Sequence, residues 1–166
     1  MRHFICAAVL ASLVSTSALA QKVGQTIDVG GWKISSELNK DGSTGCAATF
    51  VYEDKSIIAF TLDNDHVHMF IVSEPTAKMK EGSQTSLRYR IDNGKSFSGV
   101  GIAASSTLLA VPMADADLDK IYDAFMRGNT LYISLGDLDF EEPLEGSSNA
   151  ISALSDCQAK LPVRKK

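Results

Sequence analysis

The chain has 166 residues, 16 Lys and Arg against 20 Asp and Glu, and a formal net charge of −4. That acidic balance lacks the cationic face that nucleic-acid phosphates require, so DNA and RNA are not expected partners. Its length suits one ordinary domain with a proper core.

The first element is an address. Arg2 and His3 make a short basic start, Phe4 to Val14 is a run of small and apolar residues, and Ala18-Leu19-Ala20 supplies an A-x-A site. This layout predicts a secretory signal peptide over residues 1–20, cleaved after Ala20, because the apolar run is too short to cross a bilayer. The domain then covers residues 21–161, and Arg164-Lys165-Lys166 lies in a basic C-terminal tail over 162–166. Gln21 would be the new N-terminus and Cys6 does not follow a small residue, so neither a lipoprotein anchor nor a stable membrane anchor is expected. Removing Cys6 turns three cysteines into a pair. In an oxidising compartment Cys46 and Cys157 are then expected to form a disulfide.

Period-2 alternation runs from Trp32 to about Val111 and predicts strands. Trp32, Ile34 and Leu38 share one face of the first. Asp41-Gly42 turns into a second that aligns Cys46, Ala48, Phe50 and Tyr52. Ile58, Phe60 and Leu62 mark a third, and Val67, Met69 and Ile71 a fourth. In Thr85–Asp92, Leu87, Tyr89 and Ile91 face inward while Arg88 and Arg90 face solvent. Asn93-Gly94 reads as a type I′ hairpin turn, followed by strands over about Ser96–Ala104 and Thr107–Val111.

The period then changes. Leu118, Ile121, Tyr122, Phe125 and Met126 form the stripe of an amphipathic helix, with Asp115 or Asp117 placed to cap it and Gly128 placed as a C′ glycine. A strand with Leu131, Ile133 and Leu135 inward follows, then a short one with Leu138 and Phe140. A last helix starts near Ser147 or Ser148 and puts Ala150, Leu154, Cys157 and Leu161 on one face, ending at Pro162. The expected fold is mostly β, a β-rich α+β domain: an antiparallel sheet or sandwich with two helices in its C-terminal part.

Four motifs bear on chemistry. His66 and His68 share a strand face and could approach one metal ion, but no third ligand is identified, so no metal site is assigned. Gly99-Val100-Gly101-Ile102-Ala103-Ala104 matches G-x-G-x-x-A, yet it lies within a strand pattern where close packing explains it better than a nucleotide. Asp115, Asp117 and Asp119 imitate a calcium loop but have Lys120 and Met126 where Gly and Glu are needed. No G-x-S-x-G elbow is present. No catalytic residue, cofactor or metal is therefore expected. Asp137, Asp139, Glu141, Glu142 and Glu145 form an acidic run around Leu138 and Phe140, a candidate docking surface for a cationic protein partner.

The Gly31-Trp32 strand with a cysteine after it, the helix before Gly128, the strand Leu131 to Leu135, and Leu144-Glu145-Gly146-Ser147 leading into a helix with Ala150 and Leu154 occur in an order that resembles the invasion-associated locus B proteins, small exported proteins of alphaproteobacteria. The chain departs from them in having fewer cysteines and Ser147 where Phe would follow Gly146. The resemblance implies a non-enzymatic envelope protein of β-rich fold, with no catalytic residues to carry over. The expected function is thus a periplasmic or secreted protein acting by protein–protein interaction, its partner lying in the cell envelope or being a secreted enzyme. The alternative is a periplasmic immunity protein or inhibitor of a cell-wall-degrading enzyme, an amidase or lysozyme.

Overall fold

A computed structural model describes residues 24–38, 43–63 and 68–161. The segments expected to be a signal peptide, the Asp41-Gly42 turn and the basic tail, together with His66 and Val67, lie outside the described residues.

Among the described residues, ten strands form one antiparallel sheet. They are β1 (Thr26–Val29), β2 (Trp32–Leu38), β3 (Thr44–Val51), β4 (Ile57–Asp63), β5 (His68–Ser73), β6 (Gln84–Ile91), β7 (Ser96–Ala103), β8 (Leu108–Pro112), β9 (Thr130–Leu135) and β10 (Leu138–Pro143). Their spatial order is β1-β2-β3-β4-β5-β8-β7-β6-β9-β10. Two helices, α1 (Leu118–Arg127) and α2 (Ser147–Ala159), sit on its inner face. The domain is thus mostly β, as the alternation predicts. α2 lies across β1 to β4 and against α1.

The core is aromatic at its centre. Phe125 of α1 is fully buried, with its ring 4.7 Å from Phe60, 5.6 Å from Phe70 and 6.1 Å from Tyr89. Phe70 and Tyr89 stand 5.0 Å apart although β8 and β7 lie between their strands, so the sheet curls round α1. Gly99 and Gly101 lie at that curl. A Cβ on Gly99 would sit 2.6 Å from Val111, and one on Gly101 2.6 Å from the Ala110 carbonyl, so the G-x-G pattern serves close strand packing.

A seam joins the two ends of the sheet. The Trp32 indole donates to the Glu145 carbonyl (2.9 Å), the Tyr52 hydroxyl to the Pro143 carbonyl (2.9 Å), and a Cβ on Gly146 would meet the Gly30 carbonyl at 2.6 Å. Gly146 also has φ +77°, which favours glycine. The Cys46–Cys157 disulfide, with Cα atoms 6.1 Å apart and both cysteines buried, ties β3 to α2.

Five local expectations change. β1 precedes the alternating pattern that begins at Trp32. In β5 the buried pair is Phe70 and Val72, while Met69 and Ile71 point outward. The hairpin after β6 turns about Asp92 and Asn93, since the Gly94 N–H donates to the Ile91 carbonyl (2.9 Å), and only Asp92 has positive φ (48°). The cause is tertiary: the Asp92 carboxylate accepts from the Thr130 N–H (2.9 Å), and the Asp92 N–H donates to the Thr130 carbonyl (2.9 Å). Gly128 has φ −82° and is not a left-handed cap. A Cβ there would lie 2.0 Å from Ile91, so packing requires the glycine. The Asp115–Asp117 segment is a 3-10 turn leading into α1, and Asp117 makes no side-chain cap bond.

Candidate functional site

The acidic run divides between two faces. Strand period 2 sends Asp139 and Glu141 outward from β10, and Asp137 and Glu145 are exposed at its two ends. Glu142 has the opposite parity. It is buried, and its carboxylate contacts the Ser56 hydroxyl at the start of β4, so it leaves the expected docking surface and belongs to the seam. Leu138 and Phe140, of the same parity, pack partly buried against the core.

The outer face that remains carries both signs of charge. β6 pairs with β9 and β9 with β10, which sets Arg88, Ser134 and Asp139 in one cross-strand row and Arg90, Tyr132 and Glu141 in the next. Each row runs cation, neutral hydrogen-bonding group, carboxylate. Adjacent strands are about 4.8 Å apart, which separates cation from carboxylate by roughly 10 Å at the backbone. The Arg90 guanidinium is fixed in place. It lies 3.9 Å over the Tyr132 ring and donates to the Asp92 carbonyl. Arg90, Tyr132, Ser134, Asp139 and Glu141 line a shallow groove of about 440 Å³. β10 ends the sheet order, so this groove borders an edge strand. The acidic run alone pointed to the carboxylates; the cations and Tyr132 come to them only through the β6–β9 pairing, which brings together segments some forty residues apart.

At the seam, Ser56 has a single hydroxyl proton and two carboxylates to satisfy. Its Oγ donates to Asp54 Oδ1 (2.7 Å), and the Ser56 N–H donates to the same oxygen (2.9 Å). These bonds hold the exposed Asp54 carboxyl below its ordinary pKa. The same hydroxyl also donates to Glu142 Oε1, so one proton is shared between the two carboxylates. Burial pushes the Glu142 pKa up; the Ser56 hydrogen bond opposes this in part, and the nearby Asp54 and Glu74 charges add to the rise. The sign follows: a raised folded-state pKa gives stability that is full below the ordinary carboxylate pKa and is lost as pH rises through the folded value. Glu142→Gln, which mimics the neutral acid, is expected to raise the urea midpoint at pH 7 and to flatten the dependence of that midpoint on mildly acidic pH. A lower midpoint for the variant at pH 7 would show that the ionised form is the one the seam prefers.

His68 lies on β5 with Nδ1 2.8 Å from the Tyr122 hydroxyl of α1, beside an opening between the helices lined by Leu62, Met126 and Ile151. Burial raises the Tyr122 pKa to about 12, so Tyr122 is the neutral phenol at physiological pH. His66, its expected companion on the strand face, lies outside the described residues. Among the described residues, no group of three or more His, Cys, Asp or Glu is placed to hold a metal ion. Among them, too, no helix is long and apolar enough to cross a membrane.

Comparison with known proteins bears on the fold. The sequence matches no protein-family model, and it matches none of the curated proteins. Among solved structures, the chain is similar to the crystal structure titled invasion associated protein B from Bartonella henselae, with a TM-score of 0.52 at 18% identity. The likeness covers 81% of this chain and 99% of that one. At this identity it shows a shared β-rich fold.

Proposed function

We propose that this is a non-enzymatic, exported, envelope-associated protein that works by binding another protein through the outer face of β6, β9 and β10. The observation that carries the reading is the pair of rows Arg88–Ser134–Asp139 and Arg90–Tyr132–Glu141 beside the edge strand. Such a face offers Arg and Tyr anchors, residue types that dominate binding energy at interfaces, with carboxylates at its border. β10 ends the strand order among the described residues, so its outer edge can also accept an added strand. The Cys46–Cys157 disulfide supports an oxidising compartment, and the fold likeness to a protein described as invasion associated supports a role at or outside the envelope.

The test is capture from an envelope extract with the wild-type chain and with Asp139→Lys/Glu141→Lys. The wild type is expected to retain a cationic protein that the variant loses, and added salt is expected to weaken capture because the contacts are exposed. Equal capture by both would remove this face from the interaction. A cell-wall-degrading enzyme as the captured partner would favour the inhibitor or immunity role over a structural envelope role.

A further inference from the structure

β7 and β8 are neighbours in the sheet, yet among the described residues they pair only where Ile102 meets Ala110 and Ala103 meets Leu109. Toward Ser96, β7 follows β6; toward Pro112, β8 follows β5, and the two strands part. A cavity of about 430 Å³ lies in this fork, with Ser96 to Gly99 on one side and Val111 to Met113 on the other. Phe70, Tyr89, Phe97 and Ile121 add to its apolar wall, and Asp117 and Lys95 are its charged members. The volume is that of a small-molecule site. The cavity shares no residue with the Arg90–Glu141 groove.

Tyr89 supplies the polar group that a pocket of this kind needs. The residue is 4% exposed, and its ring lies 5.0 Å from Phe70, 5.4 Å from Phe97 and 6.1 Å from Phe125. Two other tyrosines packed into the core have bonded hydroxyls, Tyr52 to the Pro143 carbonyl and Tyr122 to His68. The Tyr89 hydroxyl has no protein partner among the described residues. No polar side-chain atom among them is both sealed from open space and unbonded. The Tyr89 hydroxyl therefore reaches the cavity that its residue lines. A nearly buried donor that no protein group satisfies is a strong point of attachment for a ligand's acceptor.

The surroundings also select the ligand's charge. Burial keeps the Tyr89 hydroxyl protonated, and the nearby Asp117 charge adds to that, so the hydroxyl donates. The same negative charge opposes a carboxylate placed beside it. Lys95 is exposed, where water and salt screen its attraction. Aromatic walls favour a flat ring over a flexible chain, because offset and edge-to-face contacts add to simple burial.

We propose that this cavity binds a small neutral aromatic alcohol of the phenol class, its ring among Phe70, Phe97 and Met113 and its oxygen accepting from Tyr89. The ligand's own proton then faces the Asp117 carboxylate, which can accept it.

Titration of the isotope-labelled chain with phenol, toluene and benzoate, followed by amide resonances, tests this. Toluene has the shape of phenol without the hydroxyl, and benzoate carries the charge that Asp117 opposes. Phenol is expected to bind with a Kd below about 5 mM and to move the resonances of residues 97–99 and 111–113. Benzoate is expected to bind at least about tenfold more weakly. Tyr89→Phe is expected to weaken phenol about fivefold, the value of one net hydrogen bond, and to leave toluene unchanged. The hydroxyl it removes holds no protein group, so the variant is expected to melt with the wild type. A wild type that does not bind phenol within that limit overturns the proposal. So do shifts confined to other residues, benzoate binding as tight as phenol, or phenol affinity undiminished in folded Tyr89→Phe.

Discussion

Phe125→Ala is expected to lower stability by about 3–5 kcal/mol, the range for removing a fully buried phenylalanine. The size follows from its position. Its ring meets Phe60 edge-on at 4.7 Å and also faces Phe70 and Tyr89, so truncation strips packing from three strands at once. The cavity cannot collapse easily, because α1 is held at that point. The Phe125 carbonyl accepts from the buried Ser147 hydroxyl at 2.6 Å, and a Cβ on Gly128 would strike Ile91. Phe125→Leu keeps most of the volume and is expected to cost less than about 1.5 kcal/mol. Urea unfolding with both variants measures the difference. Equal losses would mean that ring volume at this site is not what the core depends on.

Removal of the disulfide is expected to have a comparable effect. Cys46 and Cys157 are 111 residues apart, and closing a loop of that length restricts the unfolded chain by about 4–5 kcal/mol on entropic grounds. Cys46→Ser/Cys157→Ser is expected to melt roughly 10–15 °C below the wild type, given about 3 °C per kcal/mol for a chain of this size. The bridge also fastens a helix of mixed character. α2 buries Ala150, Ile151, Leu154 and Cys157 but presents serines and Asp156 elsewhere, so it has little reason to form before it is docked. The oxidised chain, denatured without reductant, is expected to show no thiol from Cys46 or Cys157. A double-serine variant that melts with the wild type would show that packing alone holds α2.

Much of this fold is legible in the residues because the two periods are clean. Leu87, Tyr89 and Ile91 alternate with Arg88 and Arg90, and both the strand and its inward face follow. Leu118, Ile121, Tyr122 and Phe125 recur at helical spacing, and α1 follows. Period fails where both faces of a strand are apolar. In β5, Met69 and Ile71 look as inward as Phe70 and Val72, and only the tertiary arrangement decides between them. β1 is short and mostly exposed, so Thr26–Val29 leaves little pattern to read. Gly128 and the Asp92 turn obey contacts with Ile91 and Thr130 rather than local turn chemistry.

The candidate site was half legible. Its carboxylates stand out as a run, but a run hides parity. Glu141 and Glu142 are adjacent in sequence and point to opposite sides of the sheet, one toward the groove and one toward Ser56. Alternation from Leu138 and Phe140 was the available signal that Glu142 turns inward. The alternation marks the cations as exposed, but not as companions of Asp139 and Glu141, because β6 and β9 are not consecutive in the chain.

The seam between Trp32, Tyr52 and the Pro143–Gly146 segment sets an order of events. The first strands of the sheet find their covering helix in residues 147–159, and their closing hydrogen bonds come from Pro143 and Glu145. A chain emerging N-terminus first from a ribosome therefore cannot complete this core until residues 143–159 are free. Late closure of this kind slows folding, since distant contacts must form before they stabilise anything.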